Sequence, residues 1–131
     1  MADRSTSLRS RLGQARGLGS AHEGVHHWWA QRMSALALIP LSLWLVASLI
    51  CMTGADYVLV SQWLASPLTI GALSLTILAA IYHAVLGLQV VIEDYIHTKA
   101  TKLILLVLLQ LGGFVIAAVT LVSLFIVAFA G

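Results

Sequence analysis

Three long apolar stretches constrain this chain more than any other feature. They are "MSALALIPLSLWLVASLICM" at 33–52, "PLTIGALSLTILAAIYHAVLGLQVVI" at 67–92 and "LILLVLLQLGGFVIAAVTLVSLFIVAFA" at 103–130. None contains a lysine or an arginine. About 20 apolar residues cross the hydrocarbon core of a bilayer as a helix, and each stretch reaches that length. In lipid the backbone must satisfy its own hydrogen bonds, so each stretch is predicted to be helical. The expected fold is all-α: an integral membrane bundle of three transmembrane helices. Composition agrees, with 60% hydrophobic and only 9% charged residues, where a soluble domain carries about 25% charged residues. Mean hydropathy is +0.99.

The 131 residues leave room for one domain. It divides into a basic tail at 1–22, rich in Ser, Gly and Arg, and a membrane anchor at 23–131. The tail is expected to be mobile, and to lie along anionic lipid or a partner. No cleavable signal peptide is apparent, because the first apolar run starts late and is too long. Pro40 falls inside the first span and is expected to bend it.

Charge placement gives an orientation. Arg4, Arg9, Arg11 and Arg16 precede the first span, with Arg32 at its entrance, and Lys99 and Lys102 flank the second loop. The first loop, "TGADYVLVSQWLAS", has Asp56 and no basic residue. Lysine and arginine collect on the cytoplasmic side. The N-terminus and second loop are therefore expected inside, and the first loop and C-terminus outside. Tyr57 and Trp63 fit an outer interfacial belt, and Trp28 and Trp29 an inner one. Basic residues that flank spans, with no stripe on a folded face, argue against nucleic-acid binding. The single cysteine, Cys51, allows no internal disulfide and no cysteine metal site.

The second span carries the chemistry. With 100° per residue, Ala72, Thr76, Gly87, Val90 and Asp94 lie on the side of His83, with Ala79 and Ala80 close by. Leu78, Ile81, Val85, Leu88 and Ile92 form a bulky opposite face that is expected to meet lipid. Small residues let a helix or a flat cofactor approach, so His83 is expected to point into the bundle. A lone intramembrane histidine has several uses: a cross-helix hydrogen bond, a proton relay, or a ligand to a metal or haem iron. The other spans offer no second histidine or methionine at its depth, so a six-coordinate haem needs its other ligand from another chain.

Asp94 and Tyr95 follow about 16 to 18 Å further along the helix, at the cytoplasmic edge. They read either as a solvated helix end with an anchoring tyrosine or as a site for an amphiphilic ligand, whose carbonyl a tyrosine hydroxyl can bond. Glu93 and His97 are candidates to extend a proton route. At the entrance of the first span, "EGVHHWWAQR" places His26, Trp29 and Met33 along one side if helical. Arg32 serves either as a positive-inside anchor or as a donor to a haem propionate or quinone oxygen. The neighbours His26 and His27 face different ways on a helix and make a poor metal pair.

Taken together, "GVHHWWAQR", "HAVLGLQVVIEDY" and three spans behind an arginine-rich start resemble the hydrophobic membrane-anchor subunits of succinate dehydrogenase, respiratory complex II. The resemblance runs from about residue 20 to the end. It implies that His83 is an axial ligand of haem b, with the other ligand from a cytochrome b subunit. It implies that Tyr95 hydrogen-bonds ubiquinone beside Asp94, and that Arg32, helped by His26, sits near the haem propionates and quinone pocket. It also implies partners, a flavoprotein and an iron–sulfur subunit docked on the cytoplasmic side. The chain would then act in electron transport from succinate and the tricarboxylic acid cycle. It would sit in the bacterial inner membrane with its C-terminus periplasmic, or in the mitochondrial inner membrane of a eukaryote. Some members of that family carry an aspartate where this chain has His27. The rival expectations are a proton-conducting subunit using His83 and Asp94, and a purely structural anchor.

Overall fold

The computed structural model describes residues 21–130, with side chains from residue 24 onward. The basic tail and its four arginines lie outside the described residues. The described chain is helical throughout, and its elements are α1 (Ala21–Cys51), α2 (Tyr57–Ala65), α3 (Pro67–Tyr95) and α4 (Lys99–Phe129). Helices α1, α3 and α4 each have the length and apolar composition to cross a membrane, and their cores coincide with the three apolar stretches. At 31, 29 and 31 residues they extend roughly 45 Å, well beyond the roughly 30 Å of hydrocarbon. Their ends therefore reach into the headgroup region or the helices tilt.

Helix α1 begins at Ala21, well ahead of the apolar run at Met33. The segment that reads as an entrance is thus the first part of the same helix, and its polar side chains occupy fixed faces. Pro40 removes one donor from the ladder, yet α1 continues through it. The first loop holds a helix that the sequence reading treated as connection. Asp56 caps α2, its carboxylate accepting the Leu59 backbone N–H at 2.9 Å. Gly54 takes φ +82° in the turn before it. Ser66 closes α2 and leads into α3, where Pro67 occupies the first turn. There its missing N–H costs nothing. Tyr57 stands exposed, and Trp63 stacks on Trp44 of α1 with ring centroids 6.3 Å apart.

The spans form a row with α3 in the middle. Helix α3 packs on α1 along one side and on α4 along the other, and α1 and α4 do not meet among the described residues. This corrects the expectation that the Ile81, Val85 and Leu88 face of α3 meets lipid. Those residues line the α3–α4 seam opposite Gly112, Gly113 and Ile116. A Cβ added at Gly113 would sit 2.6 Å from Val85 Cγ2. Only a glycine there lets the two backbones come this close. Burial is slight: among the described residues, Ile70, Leu86, Ala128, Ser34 and Thr69 are the buried ones apart from glycine. Three helices in a row do not enclose a core, so most apolar side chains stand outward.

Because α3 runs back alongside α1, the start of α1, the end of α3 and the start of α4 share one end of the row. There Lys102 donates to the Glu93 backbone carbonyl at 2.9 Å and covers a free carbonyl at the end of α3. Glu93 also accepts from Gln89 at 2.9 Å.

Candidate functional site

The seam between α1 and α3 holds the polar chemistry of the membrane interior. Its centre is His83, half-buried, with Nδ1 3.0 Å from the hydroxyl of Ser34 on α1. Ser34 is only 7% exposed, and its hydroxyl donates to the Gln31 carbonyl one turn back at 2.9 Å. The expectation that His83 points inward therefore holds, and the element it meets is α1. Gly87 shares this face. A Cβ added there would lie 3.7 Å from Gln31 Nε2, so the small residue receives the side chain of α1. Thr76, further along the same face, donates its hydroxyl to the Ala72 carbonyl within α3 at 2.7 Å.

Two residues of this seam, Gln31 and Ser34, escaped the sequence reading. With His27 they occupy positions i, i+4 and i+7 of α1, which share one helical face. That spacing was the available signal. A serine amid apolar residues draws no notice alone, since its hydroxyl can bond its own backbone. His27, left without a role by the sequence, is half-buried, with Nε2 enclosed and no hydrogen-bond partner among the described residues.

Beside Ser34 runs a groove of about 650 Å³ between α1 and α3, bordered by Ala30, Ala37, Leu75, Ala79 and Tyr82. Towards the helix entrance, His26, Trp29 and Met33 line a shallow depression with Val25 and Ala30, so these three do share one side as expected. The Arg32 guanidinium lies 5.3 Å over the Trp28 ring, an aromatic contact that holds a cation near a membrane surface.

Two close approaches set the register of the antiparallel pair: Ser34 meets His83 and Gln31 meets Gly87. Continued along the helices, this register puts Arg32 near the level of Leu86 and His26 near that of Ile92. Arg32 is then about 5 Å along the axis from His83 and roughly 14 Å from Tyr95. Asp94 and Tyr95 end α3, and Tyr95 is 77% exposed. By depth along the helices, Arg32 is thus nearer the level of His83 and Ser34, and His26 nearer that of Asp94 and Tyr95. Glu93, a candidate for a proton route, is occupied by Gln89, and His97 is exposed beyond the helix.

Among the described residues no three His, Cys, Asp or Glu side chains gather to hold a metal. Of the candidates, His83 is the side chain in the membrane interior that could hold a haem iron. With Nδ1 engaged by Ser34, its Nε2 is the nitrogen left to ligate, the arrangement that metal-binding histidines use.

Residues 6–130 match the family model of the succinate dehydrogenase/fumarate reductase transmembrane subunit. The chain is similar to the succinate dehydrogenase hydrophobic membrane anchor subunit of Rickettsia conorii, 34% identical over 119 residues, which cover 90% of this chain and 94% of that one. The same subunit of Rickettsia bellii is 32% identical over 118 residues, with the same two coverages. That of Paracoccus denitrificans is 33% identical over 107 residues, covering 79% and 81%.

Proposed function

Because this chain belongs to the succinate dehydrogenase/fumarate reductase transmembrane subunit family, and is a multi-pass membrane anchor subunit, we propose that it works at two depths of one helix seam. His83 ligates haem b in the membrane interior, and Tyr95 with Asp94 receives ubiquinone at the end of α3. The observation that carries this reading is the fixed imidazole, with Nδ1 held by Ser34 at 3.0 Å and Nε2 left for iron. A cytochrome b subunit would supply the other ligand to the iron. A flavoprotein and an iron–sulfur subunit dock at the end that carries Asp94 and Tyr95.

When bound, the haem supplies a one-electron store close to the quinone. The residues of this chain do the rest. The Arg32 guanidinium lies within a turn of the level of His83, which favours a propionate partner over a direct quinone contact for it. His26 lies nearer the level of Tyr95 and borders the quinone end. The Tyr95 hydroxyl donates to a quinone carbonyl, holding the head group where electrons from succinate arrive through the soluble subunits. Asp94 sits beside it as a carboxylate able to take a proton from the aqueous side and hand it on. Reduction of a quinone to a quinol consumes two electrons and two protons, so an exposed helix end suits it better than the membrane interior.

Orientation follows from the same end. Arg32, Lys99 and Lys102 gather there, and four further arginines precede α1 in the sequence, which puts this end in the cytoplasm of a bacterium. The C-terminus then lies on the periplasmic side. Affinity purification of the tagged chain in mild detergent tests the assembly. Three further subunits and succinate–ubiquinone activity should copurify. A chain that purifies alone from membranes holding active complex would refute it.

A further inference from the structure

We propose that Ser34 is a positioning residue for the haem ligand: it fixes both the tautomer and the ring orientation of His83. The inference rests on the haem reading of His83 and adds a second residue of this chain to it. A serine hydroxyl has one proton. Ser34 gives that proton to the Gln31 carbonyl at 2.9 Å, so towards His83 Nδ1, at 3.0 Å, its oxygen has only a lone pair to offer. With the hydroxyl proton so directed, we infer that Nδ1 carries the hydrogen and donates it, leaving Nε2 without one. The chain of bonds from the Gln31 carbonyl through Ser34 to His83 selects the tautomer that binds iron through Nε2.

Three further features make this a built arrangement. Ser34 is 7% exposed, so water does not readily replace it. Its partner carbonyl belongs to the backbone of the same helix and cannot rotate away. One turn from His83, Gln31 Nε2 packs 3.7 Å from where a Cβ of Gly87 would stand, an ordinary contact that brings Gln31 of α1 and the His83 face of α3 together.

A donated Nδ1–H makes the imidazole a stronger electron donor, and that favours ferric over ferrous iron. Purified complexes carrying Ser34→Ala and Ser34→Thr test the role by potentiometric titration of the haem and by its ferric low-spin resonance. Ser34→Ala should move the midpoint potential in the positive direction and broaden the resonance as the ring loses its fixed plane. Ser34→Thr keeps the oxygen and should retain both wild-type values. Should Ser34→Ala impair assembly, Ser34→Cys preserves the volume with a poorer acceptor, and its midpoint must also rise. An unmoved midpoint and resonance in the Ala or Cys complex, with haem lost on His83→Ala, would overturn the role of Ser34 alone. Unchanged haem in His83→Ala would instead remove the ligand assignment on which the role stands.

Discussion

At the scale of single residues, an imidazole placed among apolar side chains must find partners, because an unsatisfied polar group in the membrane interior costs several kcal/mol. His83 finds one in Ser34, and the haem reading gives it the other. Tyr95 differs, since it stands largely exposed at a helix end and needs no partner within the chain. Its hydroxyl is therefore available to a quinone. Tyr95→Phe removes one neutral hydrogen bond of about 1 kcal/mol. Succinate–ubiquinone turnover should fall several-fold in the purified complex, and succinate oxidation by a soluble artificial acceptor should stay near wild type. Equal losses in both assays, or none in either, would exclude Tyr95 as the quinone donor. His83, Asp94 and Tyr95 stand out in the sequence because polar residues are conspicuous in an apolar span. Ser34 does not, since it gains its meaning from a partner 49 positions away.

At the scale of elements, the two seams of α3 differ in kind. The α1 seam is fastened by hydrogen bonds, whereas the α4 seam is a close apolar fit centred on Gly113. The neighbouring glycines provide a matched test. A Cβ at Gly113 meets Val85, and one at Gly112 meets nothing within 4 Å. Gly113→Ala should press on Val85 and cost about 1–3 kcal/mol as overpacking. Gly112→Ala should be neutral or stabilise by up to about 1 kcal/mol through helix propensity. The midpoint of thermal unfolding of the purified complex reads both, and equal destabilisation by the two would contradict this packing. The spans were legible to within a few residues at most of their ends, because apolar length is a strong signal. The early start of α1 and the existence of α2 were not. Each depends on capping and tertiary contact, Asp56 on the Leu59 N–H and Trp63 on Trp44, which hydropathy does not register. The assignment of the Ile81 and Val85 face to lipid failed for a related reason. In a membrane a bulky apolar face suits lipid and a glycine-bearing helix equally well.

At the scale of the whole molecule, a row of three helices with little enclosed core suits a chain that completes its packing against other subunits. Both outer helices keep a free side, and α1 presents Trp28, Trp29 and Arg32 at the same end as Tyr95. The proposed topology is testable by thiol labelling in a Cys51→Ser background. A cysteine at Thr53, exposed in the first loop, should react with a membrane-impermeant maleimide in cells with a permeable outer membrane. One at Lys99 should react only after the inner membrane is opened. The reverse pattern would invert the chain and move the quinone end to the wrong side. The proposed haem at His83 is what would join the two depths into one function, so the most direct measurement is the reduced-minus-oxidised spectrum of the purified complex with and without His83→Ala. The wild-type complex should show a b-type haem band and the variant should lose most of it, with all subunits still present. A band of full height at its original position in the variant would contradict the account.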